Sequence, residues 1–125
     1  MTKVEKLLGI SKKYFESNEE IVHYIYGAYE KVFDGKNTLR TGVLIATNKR
    51  IVFCGKRFFS VFNDIVEYED VYNVELSQEK FGEKVFIHCK KQSCSMRFVE
   101  DKDVIKFVEF IKENKGKRKQ QLKGL

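Results

Sequence analysis

The sequence predicts a mainly β fold: a strongly bent antiparallel barrel or sandwich of seven short strands, closed at one end by a C-terminal α-helix, with a short helix at the N-terminus. Three observations carry this reading. Short β-branched and aromatic runs alternate with turn sequences from Ile21 to Val99. The chain has no proline, and its connections are mostly too short for βαβ crossovers. From Asp101 the apolar period changes to that of a helix, and strands followed by a helix suit a sheet that the helix closes.

Taken in order, "TKVEKLLGISKKYF" spaces Val4, Leu7, Leu8, Ser11 and Phe15 as on one helix face, although Gly9 costs about 1 kcal/mol against alanine. Residues 1–18 are read as a helical extension. After the polar break "ESNEE", Ile21 to Phe33 forms the first strand and ends at the turn "DGKN". "TGVLIAT" and "RIVFCG" flank Asn48 and Lys49, a two-residue connection in which asparagine tolerates positive φ. "FFSVFND" and "IVEYEDVYNVEL" continue the meander, with Asp64, Asp70, Asp101 and Asp103 read as turn and cap residues.

"KVFIHCKK" and "QSCSMRFV" close the strand series after the glycine of "EKFGEK". In the first, Val85, Ile87 and Cys89 share a face opposite Phe86 and His88; in the second, Cys94, Met96 and Phe98 form an apolar face and Ser93, Ser95 and Arg97 a wet one. Val104, Phe107, Val108 and Ile111 then make a helical stripe, widened by Ile105 and Phe110. Asp101 is a better N-cap than Glu100, the helix runs to about Asn114, and Gly116 ends it. The globular domain is thus 19–114, followed by a flexible basic tail, 115–125.

The 125 residues suffice for one domain with one core. The net charge of +6 is uneven: Lys115, Lys117, Arg118, Lys119 and Lys123 put five cations and no acid into the tail, so residues 1–114 are nearly neutral. Overall basicity therefore argues for no sequence-specific nucleic-acid partner. No run approaches the roughly 18 apolar residues of a membrane span, and "MTKVEKLLGISKK" lacks a signal peptide's apolar centre. Three cysteines, Cys54, Cys89 and Cys94, leave one unpaired under any internal scheme, which suits a reducing, cytoplasmic setting.

The run "GVLIATNKRIVFCGKR", preceded by "SNEEIVHYIYGAY" and followed by "IVEYEDVYNVEL", resembles the bacterial pleckstrin-homology-like (PH-like) domains of the YokE-like group. The matching positions are Gly42, the Thr-Asn-x-Arg turn at Thr47, Asn48 and Arg50, and the Tyr-x-Asp step at Tyr68, Asp70 and Val71. The resemblance spans roughly Glu19 to Glu113. It implies a seven-stranded, strongly bent barrel plugged by the C-terminal helix, and leaves the ligand open because the fold hosts many functions. Eukaryotic relatives that bind phosphoinositides alternate lysine and arginine across the first strand-pair loop. Here Lys31, Lys36 and Arg40 are spaced more widely and accompanied by Glu30 and Asp34.

Several residues compete for a functional role. Arg50 flanks a turn and is read first as pairing with a nearby acid, with ligand contact as the rival role. Along an extended strand Arg50 and Lys56 lie about 20 Å apart, so the two basic ends form no single pocket. Phe58, Phe59 and Phe62 are read as two core rings and one surface ring; the alternative is an exposed apolar anchor beside Lys56 and Arg57. Strand alternation sends His88 and Cys89 to opposite faces, so no metal site and no cofactor are expected, while Cys89 and Cys94 can meet across the "KKQS" hairpin. The sequence offers no phosphate loop, activated nucleophile or convergent carboxylate pair. These readings predict a non-catalytic module that binds another protein through a barrel rim or strand edge. The alternative is peripheral attachment to an anionic membrane or other polyanion through Lys56, Arg57 and the tail.

Overall fold

The computed structural model describes residues 1–119. Helix α1 (Lys3–Ser11) precedes strands β1 (Ile21–Phe33), β2 (Lys36–Thr47), β3 (Ile51–Arg57), β4 (Ser60–Val66), β5 (Val71–Gln78), β6 (Glu83–Cys89) and β7 (Cys94–Val99), and helix α2 (Val104–Asn114) follows. The strands make one antiparallel sheet in the order β4-β3-β2-β1-β7-β6-β5. β1 pairs with β2 from Ile21–Thr47 to Phe33–Lys36 but with β7 only at Ala28, Tyr29 and Glu30. Close approach is built into this sheet: a Cβ on Gly42 would sit 2.3 Å from the Cys54 carbonyl oxygen.

The core lies between the bent sheet and α2. Tyr29 stacks on Phe53 with ring centroids 4.4 Å apart, and Val104, Phe107, Val108 and Ile111 are buried against them. The helical stripe is thus as the spacing predicts, but Ile105 faces solvent, and only Phe110 widens it, packing edge-on to Tyr68 and His23. Asp101 does not cap α2. Its carboxylate accepts from the Tyr26 amide, and Asp103 occupies the cap position without a side-chain bond. Gly116, at φ +77°, ends the helix and donates its N–H to the Tyr68 carbonyl at 2.7 Å.

Two further expectations change. β7 carries an extra residue against β6 between Val85–Met96 and Glu83–Val99, and Phe98 takes φ +58° there. The kink turns Phe98 outward and hands its core place to Val99, while Ser95, expected in water, is buried and bonded to Glu30. Asp64 is no turn residue: on β4 it accepts from Tyr29 Oη (2.6 Å) and Lys31 Nζ (2.8 Å).

A second apolar layer covers the outer face of the sheet. Thr2 and Glu5 form a capping box that starts α1, and Leu7 packs on Val43, Ile45, Val52 and Cys54. The sheet is therefore covered on both faces where α1 crosses it, which explains why β2 and β3 read as continuous apolar runs.

Candidate functional site

The β2–β3 turn is a buried clasp. Thr47 Oγ1 accepts from the Lys49 and Arg50 amides, and Tyr68 Oη donates to the Thr47 carbonyl at 2.6 Å. Asn48 does not adopt positive φ; its side chain accepts from the Glu20 amide and donates to the Asn18 carbonyl. Arg50 donates to Glu19 through Nε (3.0 Å) and to the Tyr14 carbonyl through Nη2 (2.7 Å). The Thr-Asn-x-Arg sequence thus ties the N-terminal segment to the barrel, and its arginine is occupied and buried rather than presented to a ligand.

The opposite end of β3 is different. Arg57 pairs with Ser60, which leaves Phe58 and Phe59 as the two central residues of the β3–β4 hairpin. They are 82% and 100% exposed, so the expectation of two core rings fails; Phe62 alone packs partly on the core. Phe58 also takes φ +56° at the first central position, which two-residue turns normally give to glycine. For a bulky residue that conformation costs on the order of 1–2 kcal/mol. Lys56 and Arg57 are exposed beside the rings, with the Arg57 guanidinium 5.7 Å from the Phe58 centroid.

Sequence reasoning missed the neighbours of this tip. An open groove of about 490 Å³ runs between α1 and the hairpin, with Leu7, Ile10, Tyr26 and Phe58 as apolar surface and Lys3, Lys6, Lys13 and Lys56 around it. No acidic residue lines the groove, and among the described residues none of these four lysines has an ion-pair partner. The only trace in the sequence was the set of lysines at 3, 6 and 13, ordinary for an exposed helix face.

The basic tail does not join this tip. Lys115 and Gly116 return to the barrel through α2 and Tyr68, Lys117 bonds the Asn114 carbonyl, and Lys119 pairs with Glu16 at 2.7 Å, beside Arg50. Residues 115–119, Arg118 among them, are therefore docked at the Arg50 end of β3; the rest of the expected tail, 120–125 with Lys123, lies outside the described residues.

The thiols supply no exposed nucleophile. All three are free and buried. Burial pushes Cys54 up; Cys89 is raised by its hydrogen bond to Cys94 and by burial, whereas that bond and one from Tyr29 hold Cys94 below the usual thiol value. Burial, then the charges of Cys94 and Asp64, push the Tyr29 phenol far up, so it stays protonated as the donor to Asp64. Among the described residues no three His, Cys, Asp or Glu side chains cluster as metal ligands.

The profile of the bacterial PH domain family matches residues 15–113. Among solved structures, a DUF1696 family protein with a pleckstrin-homology domain from Shewanella loihica superposes with TM-score 0.60 at 13% identity, covering 90% of this chain and 93% of the other. The Vps36 N-terminal PH domain gives 0.62 at 13% identity over 80% and 81% of the two chains. The C-terminal domain of an unknown protein from Leishmania infantum gives 0.59 at 16% over 82% and 94%. These likenesses establish the fold. No curated protein sequence matches the chain.

Proposed function

We propose, from the premise that this chain belongs to the bacterial PH domain family, that it is a non-catalytic binding module which attaches peripherally to an anionic membrane surface through the Phe58–Phe59 hairpin. The observation that carries this is the strained, fully exposed Phe-Phe turn. Backbone strain and lost solubility at a hairpin tip are retained where the rings have something to enter. Each ring contributes about 1.5–3 kcal/mol on burial, and each cation near an anionic surface about 1 kcal/mol. With Lys56 and Arg57 the sum describes reversible attachment. The YokE-like subgroup belongs to this proposal, resting on Gly42, Thr47, Asn48 and Arg50, as does a cytoplasmic location, resting on three free thiols.

The test exchanges the turn for one that hairpins prefer, Phe58→Gly with Phe59→Ser. The variant should melt at or above the wild-type temperature yet lose at least tenfold in partitioning to phosphatidylglycerol-containing vesicles. Unchanged partitioning sinks the reading. A second reading, a protein partner at a strand edge, is favoured by β5, an edge strand on which Tyr72 is exposed beside His88. A partner captured equally by wild type and the turn variant would select it.

A further inference from the structure

We propose that the groove between α1 and the β3–β4 hairpin is a binding site for one anionic amphiphile, with its phosphate or carboxylate head among Lys3, Lys6 and Lys56 and its alkyl chain along Leu7, Ile10 and Phe58. The inference rests on the membrane reading for the source of the ligand, and the two are tested separately. Its volume, about 490 Å³, falls within the roughly 300–1,000 Å³ of small-molecule sites. Charge decides the class of ligand. Among the described residues no carboxylate neutralises these lysines, and an apolar floor with a cationic rim complements a molecule that is apolar along its length and negative at one end.

Gly9 supplies an independent observation. It sits inside α1, where glycine is a poor helix former, and a Cβ built there meets nothing within 4 Å. Its φ is not positive, so neither packing nor backbone conformation requires glycine. What its missing side chain does provide is open space on the groove wall, which it lines. The groove lies on the outer face of the sheet, where Thr41 lines it next to Arg40 of the strand pair whose basic residues are spaced too widely for inositol phosphates.

The experiment titrates full-length protein by calorimetry with dodecyl phosphate below its micelle concentration, and with inorganic phosphate and dodecanol as head-only and chain-only probes. Dodecyl phosphate should bind with one-to-one stoichiometry and at least tenfold more tightly than either control. Gly9→Leu fills the groove without touching a charge; it should weaken dodecyl phosphate at least tenfold while the circular dichroism stays native and the thermal midpoint stays at or above that of wild type. Lys6→Glu should do the same, and its weakening should disappear with dodecanol. Phe59→Ser lies outside the groove and should keep dodecyl phosphate binding while losing vesicles; dodecyl phosphate bound with vesicle partitioning unchanged sinks the membrane reading alone, and vesicle partitioning lost with no dodecyl phosphate bound by wild type sinks the groove alone. Equal affinity for inorganic phosphate, equal affinity in Gly9→Leu, or multiple equivalents bound per chain would each overturn the site.

Discussion

Arg50 Nε lies 3.0 Å from a Glu19 carboxylate oxygen, and both side chains are shut away from water. Thr47 Oγ1 donates to the same oxygen at 2.6 Å, so the pair is built into the β2–β3 turn. Leaving one buried charge without its partner costs about 3–5 kcal/mol. Glu19→Ala and Arg50→Ala should each lower stability by that amount in urea denaturation, and the double variant should lose clearly less than the two together. Additive losses would mean that the pair is not coupled.

Phe107 is fully buried while Ile105, two residues earlier on the same helix, faces solvent. Phe107→Ala should cost about 3–5 kcal/mol, and Ile105→Ala no more than about 0.5 kcal/mol. An unchanged thermal midpoint for Phe107→Ala would show that α2 does not close the core.

Truncation after Asn114 removes the bond from the Gly116 amide to Tyr68 and the Lys119–Glu16 pair. One buried hydrogen bond is worth about 1 kcal/mol net, and the exposed ion pair little. The truncated chain should fold, melt a few degrees lower, and keep most of its vesicle binding, because residues 115–119 and the Phe58–Phe59 tip lie at opposite ends of β3. Loss of vesicle binding with the tail would return the attachment to residues 115–125.

Cys54, Cys89 and Cys94 are enclosed, and His88 points to the other face from Cys89. Ellman's reagent should label none of the three rapidly in the native protein and all three in denaturant. Elemental analysis should give no stoichiometric zinc; one zinc per chain, lost in Cys89→Ala, would reverse this assignment.

Glu30 is held below the usual carboxylate range by the Asn37 amide first, then by the Ser95 hydroxyl and Arg97. Glu16 is lowered by its bond to Lys119. A depressed folded value means stability that is complete above the ordinary value of 4.5 and lost as pH falls through the lower folded one. Stability should therefore hold down to about 4.5 and decline as pH falls from there through the lower folded value, and Asn37→Ala should make the decline shallower. An identical acid limb in the variant would remove Asn37 as the cause.

The legible parts of this chain were those with a clear period. β1 begins and ends at Ile21 and Phe33 as its composition implies, and α2 buries the four residues that its spacing selects. Phe98 was misread because strict alternation cannot register an extra residue in β7. Phe58 and Phe59 were misread because turn chemistry assigns such positions to glycine or asparagine, so a Phe-Phe turn looks like strand. Asn48 was given a backbone role when its side chain does the work. The lysines of α1 acquire meaning only from what the fold sets beside them.

The narrow ladder between β1 and β7 governs the order of assembly. Strands β1 to β4 form by successive hairpins, as do β5 to β7, but the two groups meet in the sheet only where Ala28, Tyr29 and Glu30 find Arg97, Met96 and Ser95. Closing so long a loop carries its full chain-entropy cost before any of these contacts repays it. Folding should therefore be limited by this junction, on the millisecond-to-second scale of non-local β topologies. Until it closes, the two half-sheets carry bare edges at β1 and β7, each open to pairing with a neighbouring chain.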